Sequence, residues 1–550
     1  MILGNDNKDQ QSYEKQLEEA GQTAKHDLKN HENELGYNKD PKNSLTLFSN
    51  FAIAYSCCSV LSGITPLWGD TMVDGGSLSV IWGWVVGSFF TTFTAMSLAE
   101  IASAYPRTGG LYIWVSRLAP PEWVPLACWV TGWFTWVQYI FSVTSAGLSC
   151  SQFIASIIQI WQPEVNTSVY MQYGVFFSIC VVYGVINSVT IKFNGIVNQG
   201  AFYINLLGLV LIVVVGLAVT RPLNTGSFVF THFYNGSGFS NNGYAFLLAI
   251  LQCQFTLASF EGAVQVADET NNPARAAPFG IMTAVLSNAV TGFIFLMALS
   301  FMVKDYDAQI LSENAIQPQM VQVFLDAVQA WTLVFVIIIM LAIFFSGNAL
   351  ILAASRMAYA FSRDGVFKIL HRLNKRTGLP VNSVWANVAI AVIVGILYMV
   401  NSTAFEAIVS VSTIGAQSCY LVPIFLRITI ARKTFKPGPF RLGKFAYPIG
   451  AISCCWLLFG VVLFILPTQW PVDPDNMNYA VLPYAFIMLA SGVWFAVSAR
   501  HWFTGPYRII NGQRVLLYDD DDDVSIQSST LKPGSIKIVE EKEEKMEITT

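Results

Sequence analysis

What most constrains this chain is the recurrence of apolar blocks about 20 residues long, the length a helix needs to cross the hydrocarbon core of a bilayer. Phe202–Thr220, Ile281–Val303 and Trp331–Ala354 are three of them. A chain built this way has too few charges for a soluble fold. Charged residues make up 12% of the 550, about half the share that covers an ordinary soluble surface. Hydropathy places about twelve spans, near 46–68, 77–104, 123–158, 170–190, 197–220, 243–266, 279–303, 327–356, 382–400, 404–426, 446–467 and 480–500. The long third and eighth segments read as single tilted helices. The expected fold class is an all-α polytopic membrane protein, with the lipid bilayer as its first partner.

Charge gives these spans a direction. With the N-terminus in the cytosol, all but two of the 31 Lys and Arg fall in the tails and loops on that side; the exceptions are Arg221 and Lys304. Positive residues are retained on the cytosolic face, so both ends are expected there. The membrane is read as the plasma membrane rather than that of an internal organelle. Residues 1–45 and 505–550 are polar and charged, the second with the run Asp519–Asp523, and read as cytosolic tails. Asn166, Asn235 and Asn401 head N-x-S/T sequons in loops assigned to the outside, and Asn166 and Asn235 are the candidate glycosylation sites.

Several function classes drop out. No basic patch is interleaved with aromatics, so nucleic acid is not an expected partner. The nine cysteines lie inside hydrophobic segments, without metal-ligand spacing or a disulfide framework. The five histidines lie in tails and loops without partners for catalysis. No enzyme chemistry, metal or cofactor is expected.

Two of the apolar blocks are interrupted. A helix in lipid must satisfy its own backbone, so a break at membrane depth is tolerated where it lines a cavity. The first block contains Ser62-Gly63-Ile64-Thr65-Pro66, which predicts two half-helices with a break near Leu61–Ile64. The sixth contains Ala258-Ser259-Phe260-Glu261-Gly262. Interrupted helices in matching positions of two halves mark a transporter binding site. Helix N-termini attract a carboxylate and freed carbonyls accept an ammonium. A small zwitterion suits both.

Around these breaks stand Ser59–Ile64, Ala99–Trp114 (with Glu100, Tyr105-Pro106 and Gly109-Gly110), Ala267–Pro273, Ser355–Gly365 and Pro437–Gly443. Together they resemble the amino acid–polyamine–organocation superfamily of permeases, in its amino acid/choline transporter branch, over roughly residues 45–505. The resemblance implies a LeuT-like 5+5 inverted repeat plus two extra helices. The first repeat would span 46–220, the second 243–426, and the extra helices 446–500. It implies secondary active transport, by alternating access, of a small amino acid or related amine such as GABA. A choline or polyamine permease and a transport-inactive, receptor-like member stay open as alternatives. By matching motif, Ser62, Gly63, Ile64, Ala258, Ser259, Phe260 and Glu261 would bind substrate. Leu61 stands where many members have Gly. Span five lacks the lysine some proton-coupled relatives carry, so proton and sodium both stay open as coupling ion.

Glu261 is the most informative charge, since an intramembrane carboxylate is expensive. It serves as ammonium contact, proton carrier or hydrogen-bonded bridge across the break. Glu100, Ser346 and Asn348 join it as candidates for ion coupling or gating. Arg356, Arg363 and Asp364 either anchor the end of span eight or form an ion-paired gate. Asp70, Asp74, Asp305 and Asp307 lie on the predicted outer face, where they would enrich cations.

Overall fold

Twelve apolar segments cannot all be treated alike, because only an unbroken helix pairs its whole backbone within itself. The computed structural model describes residues 45–510 and 513–516, apart from 163, 164, 166, 313, 368, 375, 376, 401–403 and 475. The sequons at Asn166 and Asn401, and most of both tails, lie outside the described residues.

The first segment is α1 (Leu47–Cys57) and α2 (Val60–Ile64), followed by α3 (Trp68–Ala104). A short α4 (Leu111–Leu118) leads into α5 (Val124–Trp161), α6 (Val169–Asn187) and α7 (Ile191–Val219). Four short pieces come next: α8 (Gly226–Thr231), α9 (Asn242–Leu248), α10 (Ile250–Thr256) and α11 (Gly262–Gln265). The chain continues through α12 (Pro273–Met302), α13 (Gln319–Val328), α14 (Thr332–Arg363) and α15 (Val381–Gly395). It closes with α16 (Ala404–Ile428), α17 (Ala446–Leu463) and α18 (Val481–Val497). Residues 506–510 and 513–516 belong to a separate unit. There β1 (Tyr507–Ile510) and β2 (Gln513–Leu516) form an antiparallel hairpin, with Tyr507 opposite Leu516. That local order falls where only a weakly ordered tail is expected.

Among the described residues, ten helices are long and apolar enough to cross a membrane. The other two expected segments differ. One is the 17-residue α18, and the other is the fragmented stretch α9–α11. The third and eighth segments are single helices, α5 with 38 residues and α14 with 32.

Burial separates core from rim. α5 and α16 are the most enclosed helices; α5 packs along both α14 and α16, and α12 along α3. α7 instead exposes Tyr203, Leu207, Val210 and Val214, an apolar stripe at helical spacing that suits contact with lipid. Side chains close several helix starts: Thr46 Oγ1 accepts from Ser49 N at 3.1 Å and Ser168 Oγ from Met171 N at 3.3 Å.

The first segment runs past its expected end at 68, while the second begins where expected, at 77. Helical backbone runs on from Trp68 to Gly75 and reverses at Gly76, whose φ is +64°. A Cβ there would lie 2.8 Å from His232 O and Tyr234 N, so this turn demands glycine. α4 and α13 are helices that hydropathy leaves in loops. α13 buries Val321, Phe324 and Val328 along one face, too short a run to read as a span.

The two ends of the bundle differ in charge. One carries Arg107, Arg275, Arg356, Arg363 and Arg427 and is called the basic end below; the other carries Arg221 and Lys304 with Asp305, Asp307 and Asp326.

Candidate functional site

Both expected breaks exist. In the first segment the interruption lies at Cys58–Ser59, a little before the predicted Leu61–Ile64. Ser59 is extended, at φ −67° and ψ 135°, and its side chain does not cap α2. It turns instead to α7, where its hydroxyl donates to Asn205 Oδ1. The first N–H groups of α2 are thus left without a side-chain acceptor. In the sixth segment α10 stops at Thr256, and Ser259 takes a left-handed backbone (φ 63°) before α11 starts at Gly262.

The two breaks cross in contact. A Cβ on Gly63 would lie 2.7 Å from Thr256 Cα, and a Cβ on Gly262 would lie 2.8 Å from Cys57 Sγ. α2 therefore touches α10, and α1 touches α11, as in two antiparallel broken rods laid against each other. Cys57, Ser59, Ser62 and Gly63 from the first break and Phe255, Thr256 and Ser259 from the sixth enclose a cavity. α5 adds Ser142, Ala146 and Ser149, and α14 adds Ser346 and Leu350. The space is tight, with room for about one or two waters. Its walls combine hydroxyls with the apolar side chains of Cys57, Ala146, Phe255 and Leu350, and none of them is charged.

Of the residues expected to bind substrate, Ser62, Gly63 and Ser259 line this cavity; Ile64, Ala258, Phe260 and Glu261 do not. Glu261 is fully buried and faces α5 and α16. Gln138 Nε2 donates to its Oε1 at 2.9 Å and to Ser259 Oγ at 3.1 Å. The Tyr420 hydroxyl donates to its Oε2 and accepts from Ser259 N at 2.9 Å. The Tyr139 hydroxyl approaches the same carboxyl without a well-formed hydrogen bond. This geometry clamps the second break onto two neighbouring helices. Ser346 faces the cavity, whereas Asn348 accepts a 2.9 Å hydrogen bond from Asn187 Nδ2 on α6.

Sequence reasoning passed over Gln138, Ser142, Ser149 and Tyr420. The first three share one face of α5, at i, i+4 and i+11, a polar stripe visible within the third span. Tyr420 carries no such signal.

Ion pairs hold the basic end shut. Arg356 Nε lies 3.4 Å from Glu269 Oε1, and Arg107 Nη1 lies 3.6 Å from Asp268 Oδ1. The Asp268 carboxylate also accepts from Thr108 N at 3.3 Å. Tyr112 donates to Asp364, and Asn50 Nδ2 donates to Ala263 O at 2.7 Å. α11 and the stretch after it are thereby fastened to α1, the 105–110 loop and α14. Desolvation pushes the Glu269 carboxyl up from its usual range, against the pull of the Arg356 guanidinium. Glu100 sits apart from this lock. It pairs with Arg427 Nη2 at 3.4 Å and accepts from Leu442 N at 3.0 Å, fastening the loop between α16 and α17. Asn235, the sequon within the described residues, donates its side-chain amide to Phe239 O at 2.8 Å.

The amino acid permease family matches residues 45–490. The chain is 34% identical over 490 residues to amino-acid permease BAT1 of Arabidopsis thaliana, covering 86% of this chain and 95% of that one. Its rice homologue (Oryza sativa subsp. japonica) is 35% identical over 496 residues, covering 87% and 95%. Amino-acid permease 2 of Neurospora crassa is 29% identical over 489 residues, covering 86% and 88%. The chain belongs to the amino acid permease family, and it is an integral membrane protein.

Proposed function

We propose that this permease carries a small amino acid or a related amine, such as GABA, across the plasma membrane by alternating access. The observation that carries the reading is the crossing of two broken segments around a serine-lined cavity, at Gly63–Thr256 and Cys57–Gly262. A substrate carboxylate would lie on the uncapped start of α2, where N–H groups and the helix dipole favour negative charge. Its ammonium would lie on carbonyls freed where α1 and α10 end. The cavity's neutral hydroxyls favour a ligand whose own charges cancel.

In this reading α1–α7 and α9–α16 are two inverted repeats, each opening on a broken helix, with α17 and α18 alongside. The basic end faces the cytosol, as retention of positive charge predicts. The Arg356–Glu269 and Arg107–Asp268 pairs then close the inner path, and inward release requires them to separate. Glu261 holds the second break in shape through Gln138 and Tyr420, so its first role here is to bridge.

Uptake of labelled alanine, GABA, choline and putrescine into proteoliposomes, under imposed proton or sodium gradients, tests the reading and identifies the coupling ion. Saturable uptake of an amino acid or GABA is the expected result. Saturable uptake of choline or putrescine alone would make the chain an organocation permease. Binding without flux of any of them would make it a receptor-like protein.

A further inference from the structure

The loop joining α16 to α17 concentrates positive charge. Arg432, Lys433, Lys436, Arg441 and Lys444 fall within 13 residues, and all five are exposed. No Asp or Glu occurs between Glu406 and Asp473, so the stretch has no acid of its own. Among the described residues none of the five forms an ion pair, whereas Arg107, Arg356 and Arg427 at the same end each face a carboxylate. Retention of positive residues on the cytosolic face accounts for the sign of the loop. It does not account for a fixed array of unpaired cations.

The array is fixed because the loop backbone is tied down. Phe440 N donates to Ser103 Oγ at 2.9 Å and Leu442 N to Glu100 Oε1 at 3.0 Å, both at the end of α3. A Cβ on Gly438 would lie 2.2 Å from Ser103 O, so the chain is pressed against α3 there. The Arg427 guanidinium lies 4.0 Å from the centre of the Phe435 ring. The Arg432 guanidinium lies 4.6 Å from that of Tyr447, whose hydroxyl donates to Arg432 O at 3.2 Å. Cations on a held backbone lose less freedom when they bind an anion.

A second observation says what kind of anion fits. Phe425 and Ile430 precede the cations and Phe445 follows them, and each of the three is half exposed or more. Apolar side chains beside unpaired cations, at the end of a spanning helix, match the boundary of a bilayer, where acyl chains meet headgroups. A soluble anion would leave the three apolar side chains in water.

We propose that this loop binds the headgroup of an anionic phospholipid, with the phosphate accepting from its Arg and Lys side chains. The bound lipid would brace the inner lock. Tyr105 packs edge-on against Phe435, with ring centres 5.8 Å apart, and stands two residues before Arg107, the partner of Asp268. The headgroup site stands on its own geometry; the bracing role rests on the transport reading.

The test is thermal unfolding of the purified full-length protein in a neutral detergent at low salt. It is titrated with dioctanoyl phosphatidylserine, with dioctanoyl phosphatidylcholine and with inorganic phosphate. A ligand that binds the folded form raises its unfolding midpoint, so phosphatidylserine should raise it saturably and the other two should not. Combined Lys433→Gln, Lys436→Gln, Arg441→Gln and Lys444→Gln should weaken the apparent affinity at least about tenfold. Combined Lys192→Gln, Arg275→Gln and Arg372→Gln, at exposed cations of other segments, should leave it unchanged. The proposal is overturned by an equal rise with phosphatidylcholine, or with inorganic phosphate, which would mark a site for free phosphate. It is also overturned by unchanged affinity in the loop variant, or by equal loss in the second variant, which would mark a general cationic surface. If the fourfold variant fails to elute as a single species, Lys433→Gln with Lys436→Gln decides, with a several-fold loss expected. Absence of amino acid flux in proteoliposomes would sink the transport reading and leave this site standing.

Discussion

Gly63 meets Thr256 where no larger side chain fits: a Cβ at position 63 would stand 2.7 Å from the Thr256 Cα, a backbone atom that cannot rotate away. Gly63→Ala must therefore part α2 from α10. Overpacking of this kind costs about 1–3 kcal/mol, and here it falls on the cavity itself. We expect uptake to drop at least tenfold for every substrate, with a lowered unfolding midpoint. Gly174→Ala on α6, where a Cβ meets nothing within 4 Å, serves as control and should keep full uptake. Equal uptake by the two variants would refute the close crossing.

The broken segments were legible because Gly63 and the run Ala258–Glu261 interrupt apolar blocks that otherwise have no reason to stop. The position of the first break was less so. It is set at Ser59 by a partner on α7, Asn205, which lies 146 residues away in sequence. The same holds for Glu261. An acid among apolar neighbours announces importance, but its orientation depends on Gln138 and Tyr420, on two other helices. Three of the seven residues expected to bind substrate line the cavity, because a motif identifies a stretch of chain while the face it presents is decided by what packs against it. Gly76 shows the same limit for boundaries. Hydropathy leaves 69–76 between two spans, and only the approach of the 232–234 backbone fixes the corner at the last of these residues.

Glu261 and Tyr420 should behave as one unit. Tyr420→Phe leaves a buried carboxyl oxygen without its donor, a loss of about 1–3 kcal/mol. Glu261→Gln places an amide against the donors of Gln138 and Tyr420, so one polar contact becomes unfavourable. In a double-mutant cycle on thermal unfolding the two should couple by about 0.5–3 kcal/mol. Additive effects would mean that Glu261 acts mainly on something other than this clamp, and a direct substrate contact would then regain priority.

The Arg356–Glu269 pair is expected to govern access from the basic end. Cys57 lines the central cavity and is a native reporter of that path. Glu269→Gln removes the charge without removing bulk. If the pair holds the closed state by at least about 1.4 kcal/mol, a tenfold shift in population, maleimide labelling of Cys57 should accelerate at least tenfold when reagent is applied to that end. A Cys57→Ser background supplies the subtraction. Unchanged labelling would show that the other contacts, Arg107–Asp268 and Tyr112–Asp364, suffice alone.

Asn348 separates ion coupling from helix packing. Its side-chain oxygen accepts from Asn187, whose amide also donates to Tyr183 O at 3.0 Å. It is fully buried and absent from the cavity wall, whereas Ser346, two residues earlier, forms part of that wall. Asn348→Ala should lower stability by about 0.5–1.5 kcal/mol, one neutral hydrogen bond, while the dependence of uptake on proton or sodium gradient keeps its midpoint. Ser346→Ala should move that midpoint if a cation is bound beside the breaks. A shift in Asn348→Ala with none in Ser346→Ala would place the coupling site between α6 and α14 instead of in the central cavity.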